Sequence, residues 1–421
     1  MPVLNELETQ QRTRTPRGGI HISLPGLITL CVALVLGTVC AVEIVHAFRP
    51  GASSSAELNS PAPADLPPWG ELTEQDVTLE QPEEYVAFDA MMEPDTVWNF
   101  TETDPEKVRA MMLEGGLTAD QAAKALASRE LQPDGNGLKL RPDADLVFSL
   151  TPDVRAKFYR LLAANPENRL MLHPYRISTG TLDSMFKDSG VDNSLIEVVR
   201  KLLYPSGKQE CFSDLGLVLG MVPTEQVKIG LVKALTRQNA VLGRIRIRQN
   251  TDIDKLLGYW ASGSGARSKD VRPLLEAIKR LKDGGSVGIG YLLPPFARER
   301  LFTSPMPSKQ GDVAEDCHWS SLNFFNSTPD DRFADPAYTG KYIDENYYPI
   351  AKPSRLGDLV FLVNKQGEAI HSAVYVAGDL VFTKNGVNYA QPWILTHMAP
   401  LIVTYSSLEE PKVLYYRRKN L

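Results

Sequence analysis

Two residues in this sequence have the types and surroundings that nucleophilic chemistry needs. Cys317 heads the run Asp316-Cys317-His318-Trp319-Ser320-Ser321-Leu322-Asn323-Phe324-Phe325, where Trp319, Leu322 and Phe325 recur at helical spacing. A cysteine at the start of a helix has a lowered pKa and becomes a nucleophile, provided that it is partly exposed. His371 opens the strand-like run His371-Ser372-Ala373-Val374-Tyr375-Val376. An imidazole carried there on a sheet facing the helix would take the thiol proton and return it to a leaving amine. The backbone N–H of Cys317 would meet the developing oxyanion. Two other readings of Cys317 stand beside this one: a buried core thiol, or a bridge to Cys211 in an oxidising compartment.

The elements that must position this pair lie in the last third of the chain. Leu359 to Val363, His371 to Val376, Leu380 to Thr383 and Leu401 to Tyr405 are rich in β-branched and aromatic residues and are divided by Gly-, Asn- or Asp-containing turns. They predict a helix followed by an antiparallel sheet. With Asp316 before the cysteine, Gly357-Asp358 leading into an apolar strand, and His371 leading the strand before Gly378-Asp379, this stretch resembles the NlpC-type, papain-like cysteine peptidases of bacterial cell walls. The separation of 371 minus 317, or 54 residues, is similar to that family's. The resemblance covers about residues 314–388, under a fifth of the chain. It implies a nucleophilic Cys317 and a basic His371 that cleave amide bonds in peptidoglycan peptides through an acyl-enzyme, with no cofactor and no metal.

Two features depart from that family. His318 and Trp319 stand where it often has a small Ser-Gly pair, which would reshape the groove. The polar residue that orients the histidine falls near Lys384. Lysine has no acceptor for an imidazole N–H, whereas Asn385 does, so Asn385 ranks ahead of Lys384 and both ahead of His397, which is expected at the entry to the last strand. Lys384 and Trp319 also favour the alternative of a catalytically degenerate binding or scaffold module in the envelope.

From Ile22 to Val42 the chain is uncharged and long enough for a hydrocarbon core of about 30 Å. Arg12, Arg14 and Arg17 precede it, and from Phe48 onward Arg49 is the only basic residue before Lys107. The positive-inside rule then keeps residues 1–21 in the cytoplasm, anchors the chain in the inner membrane through residues 22–47, and exports the remainder to the periplasmic side. A signal peptide cleaved near Ala41 or Ala47 is the alternative. Residues 48–103 read as a Pro/Ala/Ser-rich linker and an acidic segment, extended on the later domain.

Residues 104–300 read as a helical accessory domain, and 301–421 as the peptidase-like domain, giving an α+β chain. Asp104-Pro105 and the Thr118/Gln121 capping box predict a helical pair that ends near Leu131. Further helices are expected to start at Thr151-Pro152, Ser194, Thr224, Thr251 and Asp270. The formal net charge of -6 gives no electrostatic footprint for nucleic acid. Arg244-Ile245-Arg246-Ile247-Arg248 reads as one polar face of an alternating strand. Gly284, Gly285, Gly288 and Gly290 lack the lysine of a phosphate loop, and no histidine pair has metal-ligand spacing.

Overall fold

The computed structural model describes residues 66–90, 95–132, 137–222, 224–262, 267–305, 313, 315–386, 391–406 and 410–420. The anchor expected over residues 22–47 lies outside the described residues, among which no helix is long and apolar enough to cross a membrane. The described chain is α+β, and every pair of neighbouring strands in its sheets is antiparallel.

The helix punctuation acts as its chemistry demands. Asp104 caps the helix Pro105–Glu114 by accepting the Glu106 N–H, and the proline occupies the first turn, where no intrahelical donor is needed. Val108 and Met112 on this helix are fully buried, each contributing about 1.5–3 kcal/mol. Thr118 and Gln121 form the reciprocal capping box at the head of Ala119–Leu126. Thr151 caps Pro152–Leu162, Asp192 caps Asn193–Leu202, and Thr224 caps Glu225–Leu235. Their apolar faces share one core, running from Val86 to Leu235.

A second core begins at Val241, so the packing divides near residue 238 and not near residue 300. The reason is the strand Gln238–Ile247, which pairs along nine residues with Glu71–Leu79 and on its other edge with Gly285–Gly288. The Arg244–Arg248 alternation forms the end of this strand, with Ile245 and Ile247 buried. The acidic segment therefore enters the fold as a strand, and Trp69 before it packs edge-on against Tyr259 and Tyr375. The helices Ile253–Trp260 and Pro295–Arg300 bury Trp260 and Phe296 in this second core.

The C-terminal sheet has six strands in the spatial order Tyr347–Ile350, Lys412–Arg418, Leu359–Val363, Ala369–Ala377, Leu380–Lys384, Trp393–His397. One face (Phe361, Val374, Val376, Phe382) meets Trp319 and Leu322 of the helix Cys317–Leu322. The other (Val360, Leu362, Ala373, Tyr375, Val381) is covered by Leu401. The strand expected from Leu401 to Tyr405 is instead the helix Met398–Thr404. Pro400 sits in its first turn, where a missing N–H costs nothing, and the β-branched run that resembled a strand lays Leu401 on the sheet. His397 accordingly ends a strand and precedes this helix; it does not enter the last strand.

Candidate active site

The helix Cys317–Leu322 begins where the sequence requires, with Asp316 as its cap and the Trp319 N–H 2.8 Å from Asp316 Oδ1. Its side chains fasten it to the sheet. Trp393 Nε1 donates to Ser320 Oγ at 2.8 Å, and Ser372 Oγ lies 3.1 Å from both the Cys317 carbonyl and Ser321 Oγ. His318 Nδ1 is 3.0 Å from the same Ser372 hydroxyl, and its ring stacks on Phe361. His318 thus fills space beneath the helix, and Trp319 is core, donating to Asp331 Oδ1 at 3.2 Å.

Cys317 is 5% exposed, against the partial exposure expected of it. Burial, and then the Asp316 carboxylate, push its thiol up to about 12. The expected lowering is reversed because the helix is only six residues long, under two turns, so its dipole is small beside the loss of water. Lys384 acts in the opposite direction and favours the thiolate. Cys211 and Cys317 are both buried and free, so the bridge between them is not made.

His371 is wholly buried in the strand Ala369–Ala377. Its ring stacks on Tyr405 with centroids 4.1 Å apart, and its Nε2 lies 2.8 Å from Thr383 Oγ1. Its Nδ1 is buried and has no hydrogen-bond partner, the Cys317 sulfur included. Burial, with a smaller contribution from His318, holds the imidazole well below its usual range, so it is neutral. Successive strand residues face opposite sides, and it is Ser372 that touches the Cys317 helix. Tyr405, which stacks on His371, has its phenol held well above its usual range, first by burial and then by the charge that Cys317 would carry as a thiolate.

The residue on the histidine is neither Asn385 nor Lys384. Thr383 occupies that place, lying on the same face as Val381 and His371, while Lys384 turns to the other face with Phe382. Lys384 is wholly buried and donates to the Gly386 carbonyl at 2.6 Å, and burial brings it down to about 8. The buried Asn385 Oδ1 has no partner. Counting alternation backward from Lys384 would have found Thr383 in the sequence.

Asp358, of the Gly357-Asp358 pair, is structural. It accepts two bonds from Arg417, both at 2.7 Å, and the N–H groups of Ser354 and Arg355. Gly357, at φ 96, supplies the left-handed turn that brings these donors round. Arg417 was not foreseen, because only the sheet order puts its strand beside Leu359–Val363. Beside the helix, Arg300 lies 4.1 Å from the Phe296 ring centroid, 5.3 Å from that of Trp319 and 5.5 Å from that of Trp393.

Compared with known protein families, curated proteins and solved structures, the chain matches none.

Proposed function

We propose that this chain is a cysteine amidase or peptidase acting on amide bonds in peptidoglycan peptides, anchored in the inner membrane by residues 22–47 with its catalytic part on the periplasmic side. Cys317 is the nucleophile, His371 the base and Thr383 the residue that orients the base. The observation that carries this reading is the unpartnered Nδ1 of a fully buried His371. An unsatisfied buried polar atom costs about 1–3 kcal/mol, and such groups are retained where a reaction uses them. Thr383 Oγ1 is also 3.4 Å from the Ser372 carbonyl. Both contacts are satisfied when the threonine donates to that carbonyl and accepts from Nε2–H, which leaves the lone pair on Nδ1.

In the reaction Nδ1 takes the proton of the Cys317 thiol, and the sulfur attacks the substrate carbonyl. The resulting imidazolium protonates the leaving amine as the C–N bond breaks, and water then cleaves the thioester. For this the thiol and imidazole must come within about 3–4 Å of each other. The described state does not meet this condition: both groups are buried and unbonded to each other, and Ser372, not His371, faces the Cys317 helix.

A second reading, a catalytically silent binding module, is favoured by the burial and raised pKa of Cys317. Incubation of the full chain with soluble muropeptides separates the two. New amine termini that vanish in both Cys317→Ala and His371→Ala support the enzyme. Muropeptide binding without cleavage, unchanged in Cys317→Ala, supports the silent module and refutes the first reading.

A further inference from the structure

Apart from the proposed dyad, the fold brings a histidine and two carboxylates together from three separate parts of the chain. Glu74 lies on Glu71–Leu79, Asp379 in the turn between Ala369–Ala377 and Leu380–Lys384, and His397 at the end of Trp393–His397. One ligand atom from each falls within 4.8 Å of the others. Backbone pairing and packing fix this meeting. His397 pairs with Leu380, and the Met398 N–H donates to the Asp379 carbonyl at 3.0 Å. Tyr375 Oη donates to the Gly378 carbonyl at 3.1 Å and holds the same turn. Leu72, on the same strand face as Glu74, stands 3.2 Å from where a Cβ on Gly378 would be, which brings Glu74 alongside.

The two nitrogens of His397 meet different carboxylates. Nδ1 is 3.0 Å from Asp379 Oδ1, and because a carboxylate only accepts, this nitrogen carries the proton. Nε2 of the neutral ring then presents a lone pair. Glu74 Oε2 lies 3.7 Å from it, beyond hydrogen-bond length. A lone pair and an anion repel each other at this distance, whereas a cation between them would bind both.

We propose that His397 Nε2 and Glu74 form a binding site for a divalent transition ion of the zinc type, with Asp379 as the residue that orients the imidazole. A ligating histidine ordinarily donates its other N–H to a carboxylate in this manner, which fixes the tautomer and makes the ligating nitrogen more basic. At zinc bond lengths of about 2.0–2.2 Å, two ligands of a tetrahedral ion stand about 3.4 Å apart, so the separation of 3.7 Å requires a shift of about 0.3 Å. Both side chains are partly exposed, which leaves room for water to complete the coordination. The two carboxylates balance the charge of the ion. Imidazole with carboxylate favours zinc over calcium or magnesium, which take oxygen ligands. The ion would tie the three-stranded sheet that holds Glu71–Leu79 to the six-stranded sheet. This site depends on neither Cys317 nor His371.

The test is modification of His397 by diethyl pyrocarbonate in the full chain after chelator treatment, read by mass spectrometry on the His397 peptide so that other histidines and thiols do not interfere. Zinc chloride at about 100 µM is expected to slow the labelling about tenfold, as a site with a dissociation constant of about 10 µM requires. Magnesium chloride should leave it unchanged. Glu74→Gln is expected to remove most of the protection by zinc. Asp379→Asn, which keeps an acceptor for Nδ1–H and loses the charge, should remove part of it. If Glu74→Gln does not fold, Glu74→Asp replaces it; drawing the carboxylate back by one methylene should likewise weaken the protection. Labelling of the unaltered chain that zinc does not slow overturns the proposal. Protection retained in full by the Glu74 variant overturns it too, since zinc would then be held adventitiously by a lone imidazole.

Discussion

Replacing Thr383 with valine keeps the shape of a side chain that is 1% exposed and removes its hydroxyl. Two contacts are lost, 2.8 Å to His371 Nε2 and 3.4 Å to the Ser372 carbonyl. The imidazole then has both nitrogens buried and unpartnered, which is expected to cost about 1–3 kcal/mol of stability even though valine is the more apolar residue. Thr383→Ser retains the oxygen and loses one buried methyl, about 0.8 kcal/mol. Urea unfolding of the full chain should therefore rank the two against their hydrophobicity, with serine above valine. On muropeptides the same pair should diverge further. Once Nε2–H is no longer held, Nδ1 ceases to be the fixed acceptor, and cleavage should fall by about 10²–10⁴, the contribution of a general base. Thr383→Ser should retain most of it. If Thr383→Val is as stable as the parent chain and as active as Thr383→Ser, the hydroxyl does not orient the imidazole and the assignment of Thr383 is refuted.

Three further outcomes are expected. Arg417→Met removes both bonds to the fully buried Asp358 carboxylate and should cost about 3–5 kcal/mol by urea unfolding; a cost under 1 kcal/mol would mean that the backbone donors suffice. Asp316→Ala should destabilise the fold by about 1 kcal/mol through loss of the helix cap, while the Cys317 alkylation inflection moves to lower pH because a charge opposing the thiolate is gone; an upward move contradicts the electrostatics. Asp214, buried with Tyr159 and Arg155, is pushed up to about 6 by its burial. The folded chain then keeps a proton that the unfolded chain has lost, so this group's stabilisation is full below about pH 4 and lost as pH rises through about 6. Asp214→Asn should flatten that part of the stability profile, and an unchanged slope would show that Asp214 ionises normally.

What could be read from the sequence was what local chemistry decides. The caps at Asp104, Thr118, Thr151 and Thr224 depend on residues within one turn of one another, and they lie where the sequence puts them. The strand Leu359–Val363 has the expected bounds, and the Asp316 cap marks the start of the Cys317 helix. Long-range partners were not legible. Glu71–Leu79 looks polar because its pattern makes sense only against Gln238–Ile247, and Lys412–Arg418 finds its place only through the sheet order. At the site, the residue types around Cys317 and His371 could be read, but the burial of the thiol could not, since it follows from how the helix seats on Ser372 and Trp393. Thr383 was passed over for Lys384 and Asn385 because a one-residue change in counting along a strand moves a side chain to the other face.

The strand Lys412–Arg418 comes last among the described strands but second in the sheet, between Tyr347–Ile350 and Leu359–Val363. Its loss would do more than fray an edge. Tyr347–Ile350 would have no strand neighbour, Leu359–Val363 would gain a bare edge, and the buried Asp358 side chain would lose its two bonds from Arg417. A chain shortened before Lys412 would thus hold every proposed catalytic residue and still present an open strand to other molecules. The presence of residues through Arg418 is in this way a condition for the sheet to close, and a product stopped before Lys412 should be recognised by its aggregation before its lack of activity.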